Sequence, residues 1–287
     1  MRNDDVSLDA LLKPIVERLS AIDGIAALVL GGSRAKGTAR PDSDVDIGIY
    51  YEPGRPFPVE ALENAARELD DSGRTGLMTQ FGEWGPGVNG GGWLVIGGRH
   101  VDFLYRDLER VEQVVRQCVA GRAEGLYQLG HPMGFQSQIY AGEIQCCRPL
   151  YDPHDKVARL KRLVGEYPPA LRRALCEKHL FDAGFELGIA DKPAARGDAF
   201  FVAGCLFGAA GFMLLVLYAL NRCFFTNEKG AIEESRGFAI MPPGFHDEVA
   251  AVLSSIGTGP AALSASVARM RSVFERVERL VADELPR

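Results

Sequence analysis

The sequence predicts an α/β domain with a mixed sheet, followed by an all-α helical-bundle domain. In the first 150 residues, short apolar runs of strand length alternate with helical patterns and glycine turns. From residue 151 onward, apolar residues recur every three to four positions over long segments, as they do in helical bundles. We therefore divide the 287-residue chain into domains of residues 1–150 and 151–287.

Five strands and three helices are predicted in the first domain, together with a short helix or helical turn over residues 33–38. Their expected positions are 25–30, 45–51, 75–81, 93–96 and 100–105 for the strands, and 7–21, 58–70 and 108–119 for the helices. The last two strands flank Gly97-Gly98, a pair suited to a tight hairpin turn. The glycine-rich segment 82–92 is either a flap over a substrate or a plain connection. After an irregular stretch, helices are expected at 154–166, 168–190, 198–225, 244–256 and 260–284.

Composition and charge restrict the class of function. Apolar residues make up 47% and charged residues 24% of the chain, which are ordinary values for a globular protein with a sizeable core. A net charge of −6 argues against broad nucleic-acid binding through a basic surface, although contact with one RNA end stays open. The six cysteines show no zinc spacing and no CxxC motif, and the N-terminal residues have no apolar signal region. A cytoplasmic protein with reduced thiols is therefore expected.

One segment, Ala199–Leu220, carries no formal charge and is long enough to cross a membrane. The alternative is a central helix of the helical domain, which is apolar all round because other helices surround it. We favour the buried helix, and no membrane partner, because no basic cluster marks a cytoplasmic side. In addition, Gly204, Gly208 and Gly211 would allow other helices to pack closely.

The residues that carry chemistry are concentrated just after the first strand. Gly32 has no Cβ, so the backbone there can approach a triphosphate closely. The Ser33 hydroxyl and the amides that follow it can donate to phosphate oxygens. Asp44 and Asp46 begin the second strand, where the period of two places both on one face, and carboxylates are the hard oxygen ligands that Mg²⁺ prefers. This stretch therefore predicts a place for a metal-bound phosphate.

The pattern Gly31-Gly32-Ser33, then Asp44-x-Asp46, then a later strand acid at Asp102, resembles the nucleotidyltransferase superfamily related to DNA polymerase β. Over residues 25–105 the chain is similar to small stand-alone bacterial nucleotidyltransferases, which include aminoglycoside adenylyltransferases. The resemblance implies that Asp44 and Asp46 hold two Mg²⁺ ions. It also implies that Asp102 holds the catalytic ion and helps to deprotonate an acceptor hydroxyl, which requires the hairpin to lie beside the second strand.

Other candidates carry weaker signals. The resemblance implies that Lys229, in the helical domain, contacts the nucleotide phosphates, and an ordinary loop lysine is the equal alternative. Glu143 and Glu186 are candidate second-domain bases near an acceptor, although such residues are more often structural. Three basic residues after the glycine turn could screen phosphate charge, namely Arg34, Lys36 and Arg40.

The sequence thus predicts an enzyme that transfers a nucleoside monophosphate, with AMP from ATP the expected case, onto an acceptor hydroxyl in a cleft between two domains. An aminoglycoside-like acceptor suits the acidic balance, because a polycation is attracted to carboxylates. Two alternatives stay open. One is transfer onto a protein or a tRNA end, as in toxin or antitoxin nucleotidyltransferases. The other is a non-catalytic nucleotide-binding module, against which the retention of all three acids argues. Base preference, acceptor and oligomeric state are left open.

Overall fold

Two units make up the part of the chain that the computed structural model describes, which is residues 3–286, with side chains from residue 8 onward. The first unit comprises residues 3–116 and 124–166, and the second comprises residues 117–123 and 167–286. The expected boundary at residue 150 falls inside the first unit, because residues 148–151 form a strand that pairs with residues 28–30 of its sheet. The last change of unit along the chain therefore comes after Glu166.

A five-stranded mixed sheet forms the centre of the first unit. Its strands and those of a small separate hairpin are β1 (Ile25–Leu30), β2 (Val45–Tyr51), β3 (Gly91–Ile96), β4 (Arg99–Asp107), β5 (Gly125–Leu126), β6 (Phe135–Gln136) and β7 (Arg148–Tyr151). The order in the sheet is β3-β4-β2-β1-β7, while β5 pairs with β6. Strands β2 and β4 are parallel and the other neighbours are antiparallel, which confirms the predicted mixed sheet.

Helices cover one face of this sheet and form its core. The helices of the first part of the chain are α1 (Asn3–Ser20), α2 (Gly32–Lys36), α3 (Val59–Leu69), α4 (Leu108–Val119), α5 (Gln138–Cys146) and α6 (Lys156–Leu163). Side chains of α1 and α3 are buried in one cluster with Val45, Ile47 and Ile49 of β2. The period of two predicted this inward direction correctly, and it leaves Asp46 on the opposite face.

The strand predicted at 75–81 was wrong. The segment makes one isolated bridge, from Met78 to Gly92, and otherwise lacks regular structure. The Glu63 carboxylate of α3 accepts hydrogen bonds from three successive amides, those of Gly76, Leu77 and Met78. A side chain thus satisfies backbone donors that a neighbouring strand would satisfy in a sheet.

The stretch between α4 and residue 151, expected to be irregular, contains β5, β6, α5 and β7. Most of α5 is buried, including Tyr140 and Ile144, and its polar residues gave it little helical pattern in the sequence. Strand β7 extends the sheet beyond β1. Tertiary packing, rather than local propensity, forms these elements.

The second unit is helical, as predicted. Its elements are α7 (Pro169–Arg196), α8 (Ala199–Leu220), α9 (Ala231–Glu234), a short 3₁₀ helix (Ser235–Gly237), α10 (Phe245–Ser254) and α11 (Pro260–Glu284). Helix α7 ends at a left-handed glycine, Gly197, and the Asp198 side chain caps the start of α8 through the amide of Phe201. Helices α7, α8 and α11 pack against one another along their lengths.

Helix α8 is, within the described residues, the one helix that is long and apolar enough to cross a membrane. Over its most apolar window 56% of the helix is buried, and its neighbours are α7, α10 and α11. Phe200, Phe201 and Phe207 are exposed. Packing inside the second unit therefore accounts for the apolar character of the buried side of α8.

Candidate active site

The glycine turn between β1 and α2 is fixed against β2. The Gly31 amide donates a hydrogen bond to the Asp46 carbonyl oxygen at 2.8 Å. Gly32 has a φ of 58°, in the left-handed region, and a Cβ at this position would overlap the Asp46 carboxylate, with Oδ2 the nearest atom. Glycine is favoured here, because the backbone conformation strains other residues and a Cβ would force the Asp46 carboxylate to move.

Asp46 and Asp102 lie side by side on neighbouring strands. In the parallel pairing of β2 with β4, Asp46 is the register partner of Asp102. Adjacent strands are about 4.8 Å apart, so the two acids share one face of the sheet at close range. Both residues are half-buried. The hairpin thus lies beside the second strand, as the predicted role of Asp102 requires.

Asp44 is exposed and comes immediately before β2. The Arg34 side chain of α2 fixes the backbone just before β2. Its Nε donates to the Asp44 carbonyl oxygen at 3.0 Å, and an Nη donates to the Ser43 carbonyl oxygen. Sequence reasoning placed Arg34 among residues that could screen phosphate charge. In the structure its guanidinium instead positions the loop that carries Asp44.

The donor chemistry of these three acids fits a divalent cation, since carboxylate oxygens are the preferred ligands of Mg²⁺. The Asp46 carboxylate occupies the space that a Cβ on Gly32 would need, so this acid lies directly against the glycine turn. Among the described residues, however, no group of three or more His, Cys, Asp or Glu side chains converges into a ready metal site. The residue types fit the ion, and the carboxylates are not assembled around one point.

Glu143 is not a residue of the second unit. It lies on α5 in the first unit and forms a bidentate ion pair with Arg106 of β4. The Arg106 Nη2 and Nε atoms donate to the two Glu143 carboxylate oxygens at 2.7 and 2.8 Å. Burial lowers the pKa of Arg106. The charge and hydrogen bonds of Glu143 raise that pKa by a larger amount, so its net shift is upward. Glu143 therefore balances a buried charge, which corrects its reading as a second-domain base.

Lys229 and Glu186 both lie in the second unit. Lys229 is exposed in the segment before α9, where its amide donates to the Asn227 side chain at 2.8 Å. Glu186 lies on α7, beside Gly208 of α8. Burial, and then a hydrogen bond from the Cys205 thiol to Glu186, raise the pKa of that thiol to about 12. The phosphate contact of Lys229 stays a prediction, and Glu186 belongs to the packing of two helices.

Sequence reasoning missed Trp93, the register partner of Asp102 on the other side of β4. The hairpin signal was sufficient to find it. A two-residue turn at Gly97-Gly98 pairs residue 96 with 99, and counting outward from that pair places Trp93 opposite Asp102. The Arg106–Glu143 pair had no comparable signal, because it joins a strand to a helix far along the chain.

One comparison with known proteins bears on the class of the first unit. Residues 12–86 match the family model described as a nucleotidyltransferase domain, which spans β1, α2, β2 and α3 but ends before Asp102. Residues 12–86 of the first unit therefore match a nucleotidyltransferase domain, and the resemblance to that superfamily is confirmed. Nucleotidyl transfer is the class of activity that such a domain supports.

A crystal structure of a nucleotidyltransferase-like protein from Exiguobacterium sibiricum 255-15 is similar to this chain. The two share 9% sequence identity over 97% of this chain and 78% of that one, with a TM-score of 0.47. Similarity at this level says nothing about substrate. A search of curated protein sequences found no match.

Proposed function

We propose that this protein is a Mg²⁺-dependent nucleotidyltransferase that moves AMP from ATP onto an acceptor hydroxyl. The observation that carries the proposal is the placement of Asp46 beside Asp102, with Gly32 packed against the Asp46 carboxylate. This arrangement joins a backbone turn free of side-chain bulk to two acids on one face of the sheet. Phosphate and hydroxyl can approach each other there.

In this proposal a small number of residues carry out the reaction. The acceptor oxygen forms a bond to the α-phosphorus, the bond from that phosphorus to the oxygen bridging to the β-phosphate breaks, and pyrophosphate leaves with the electron pair. The Asp102 carboxylate accepts the proton of the acceptor hydroxyl. The Gly32 backbone and the Ser33 hydroxyl orient the phosphates. Mg²⁺, held by Asp44, Asp46 and Asp102, would neutralise phosphate charge when bound.

The acceptor belongs to the same proposal. A small polyhydroxylated molecule with amino groups, similar to an aminoglycoside, suits a site face that carries three carboxylates and a chain with a net charge of −6. We place the reaction in the cytoplasm, where ATP is available and thiols stay reduced. Lys229 is retained as a proposed phosphate contact.

Incubation with nucleoside triphosphates labelled at the α-phosphorus tests this function. The acceptors are aminoglycosides, tRNA and a protein extract, with Mg²⁺ or with a chelator. Label on an aminoglycoside, lost with the chelator and lost in a variant carrying Asp44→Asn and Asp46→Asn, supports the proposal. Label on tRNA or protein would move the acceptor to the alternative class. Label on no acceptor would indicate a nucleotide-binding module instead.

A further inference from the structure

An exposed tryptophan extends the row of acids across the sheet. Trp93 on β3 pairs in register with Asp102 on β4, which pairs in turn with Asp46 on β2. Register partners point to the same face of a sheet, so the three side chains share the face opposite the core. Trp93 is 62% exposed, whereas its neighbour Leu94 is buried. A large apolar ring thus stays in solvent beside the proposed catalytic acid.

The Trp93 ring is supported rather than free to turn. It stacks on Trp84 with ring centroids 4.6 Å apart and planes at 24°. The loop that carries Trp84 is fixed, because the Gln128 side chain donates to the Trp84 carbonyl oxygen and accepts from the Gly87 amide. Tyr140 donates to the Gly87 carbonyl oxygen at 2.7 Å. The segment 82–90 is therefore a built support for the indole pair.

The order across the sheet places this pair on the acceptor side. The glycine turn lies beyond β2 on the β1 side, whereas Trp93 lies beyond β4 on the other side, roughly 10 Å from Asp46 at the usual strand spacing. In the proposed function, phosphates bind at Gly32 and Asp102 takes the acceptor proton. A ring attached to the acceptor hydroxyl at Asp102 would then extend over β3.

We propose that Trp93, supported by Trp84, is the wall of an acceptor subsite that takes the face of a hydroxylated ring bearing ammonium groups. The inference rests on the proposed function and adds the residue that recognises the acceptor. An indole face attracts cations, and its apolar surface covers the carbon–hydrogen face of a saturated ring. Arg74, whose side chain donates to the Trp93 carbonyl oxygen at 3.3 Å, is itself ion-paired with Asp70.

The sequence offers a direct probe, because Trp84 and Trp93 are its only two tryptophans. Tryptophan fluorescence, excited selectively at the red edge where tyrosine does not absorb, therefore reports on this pair alone. Purified full-length protein is titrated with kanamycin, neomycin and streptomycin, and affinities are confirmed by calorimetry. We expect a saturable change in emission and, for Trp93→Leu, roughly tenfold weaker binding by calorimetry. Trp93→Phe should recover part of that loss.

Phe181→Leu is the matched control. Phe181 is also the exposed partner of a stacked aromatic pair, with Phe185 on α7, and its replacement should leave affinity unchanged. Thermal melting confirms that each variant folds. Three results would overturn the subsite. The first is no saturable change in emission with any of the three aminoglycosides, and the second is equal aminoglycoside affinity in Trp93→Leu and wild type. The third is Trp93-dependent binding of a CCA-ended oligoribonucleotide instead of an aminoglycoside.

The two proposals fail separately. Binding that depends on Trp93 without label transfer in the α-phosphorus assay would contradict the transferase function and leave the subsite standing as a binding site. Label transfer that is equally fast in Trp93→Leu and wild type, on every acceptor used, would contradict the subsite alone.

Discussion

Gly32 lies directly against the carboxylate of Asp46, at a distance that leaves no room for even one methyl group. The contact joins the turn after β1 to the first acid of β2, so the phosphate-binding candidate and the metal-binding candidate are one structural unit. The Gly31 amide, bonded to the Asp46 carbonyl oxygen, reinforces the same link. Displacing either residue should displace the other.

Gly32→Ala should reduce nucleotidyl transfer by about 10²-fold, because a displaced carboxylate spoils the alignment of the reacting groups. Gly37→Ala is the matched control. Gly37 ends α2, has a φ of 73° and has open space where a Cβ would be placed. It should cost about 1 kcal/mol of stability and leave activity within a few fold. Equal activity loss in both variants, measured as initial rates, would contradict the role assigned to the Asp46 contact.

Arg34→Met should lower kcat by about tenfold and leave KM for ATP nearly unchanged, because Arg34 holds the Ser43 and Asp44 carbonyl groups rather than the nucleotide. Steady-state kinetics with varied ATP separates the two parameters. Arg40→Met, a change to an exposed basic residue of the same loop, serves as the control. A rise in KM alone would restore the reading in which Arg34 screens phosphate charge.

Glu143→Gln should destabilise the protein by about 3 kcal/mol, since it leaves the Arg106 guanidinium buried without its counter-charge. Replacing both residues with leucine should recover part of the loss, because the unpaired charge is then removed as well. Denaturant unfolding of Arg106→Leu, Glu143→Leu and the double leucine variant measures the coupling between the two residues. A Glu143→Gln protein that is fully stable but inactive would reinstate Glu143 as a catalytic base.

Asp70 should make stability depend on pH in the acid range. Hydrogen bonds from Arg74, and from the Val95, Ser72 and Arg74 amides, hold the pKa of this carboxyl far below its usual range despite its burial. A depressed folded-state pKa contributes stability above the unfolded value, about pH 4, and that stability is lost as pH falls through the folded value. The unfolding midpoints of wild type and Asp70→Asn should therefore differ at neutral pH and converge at acid pH. Asp42→Asn, at an exposed aspartate, should shift neither midpoint, and a constant gap between wild type and Asp70→Asn would refute the assignment.

The parts of the fold that local pattern determines were predictable. The bounds of β1 and β2 were found from their apolar runs, and the β3–β4 hairpin from its glycine pair. The wrong strand at 75–81 failed because the Glu63 side chain, remote in sequence, takes the amides that a strand partner would take. No local pattern shows such a contact.

In the candidate site, too, the features set by local pattern were predictable and those set by the folded sheet were not. Spacing and strand period were enough to place Asp46 on the face away from the core, and the hairpin turn was enough to set Trp93 opposite Asp102. That β4 would lie parallel to β2 depended on the order of strands in the sheet, which residue pattern does not encode. The role of Glu143 was hidden for the same reason, since its partner Arg106 is reached only through the folded sheet.

The pairing of Asp46 with Asp102 is tested most directly by label transfer from ATP labelled at the α-phosphorus, with Asp102→Asn compared with Asp42→Asn. Both changes remove one negative charge, but Asp42 lies exposed in the loop before β2. Loss of transfer by about 10³-fold in Asp102→Asn, with Asp42→Asn close to wild type, is the expected result. Transfer by Asp102→Asn at the wild-type rate would contradict the account of this site.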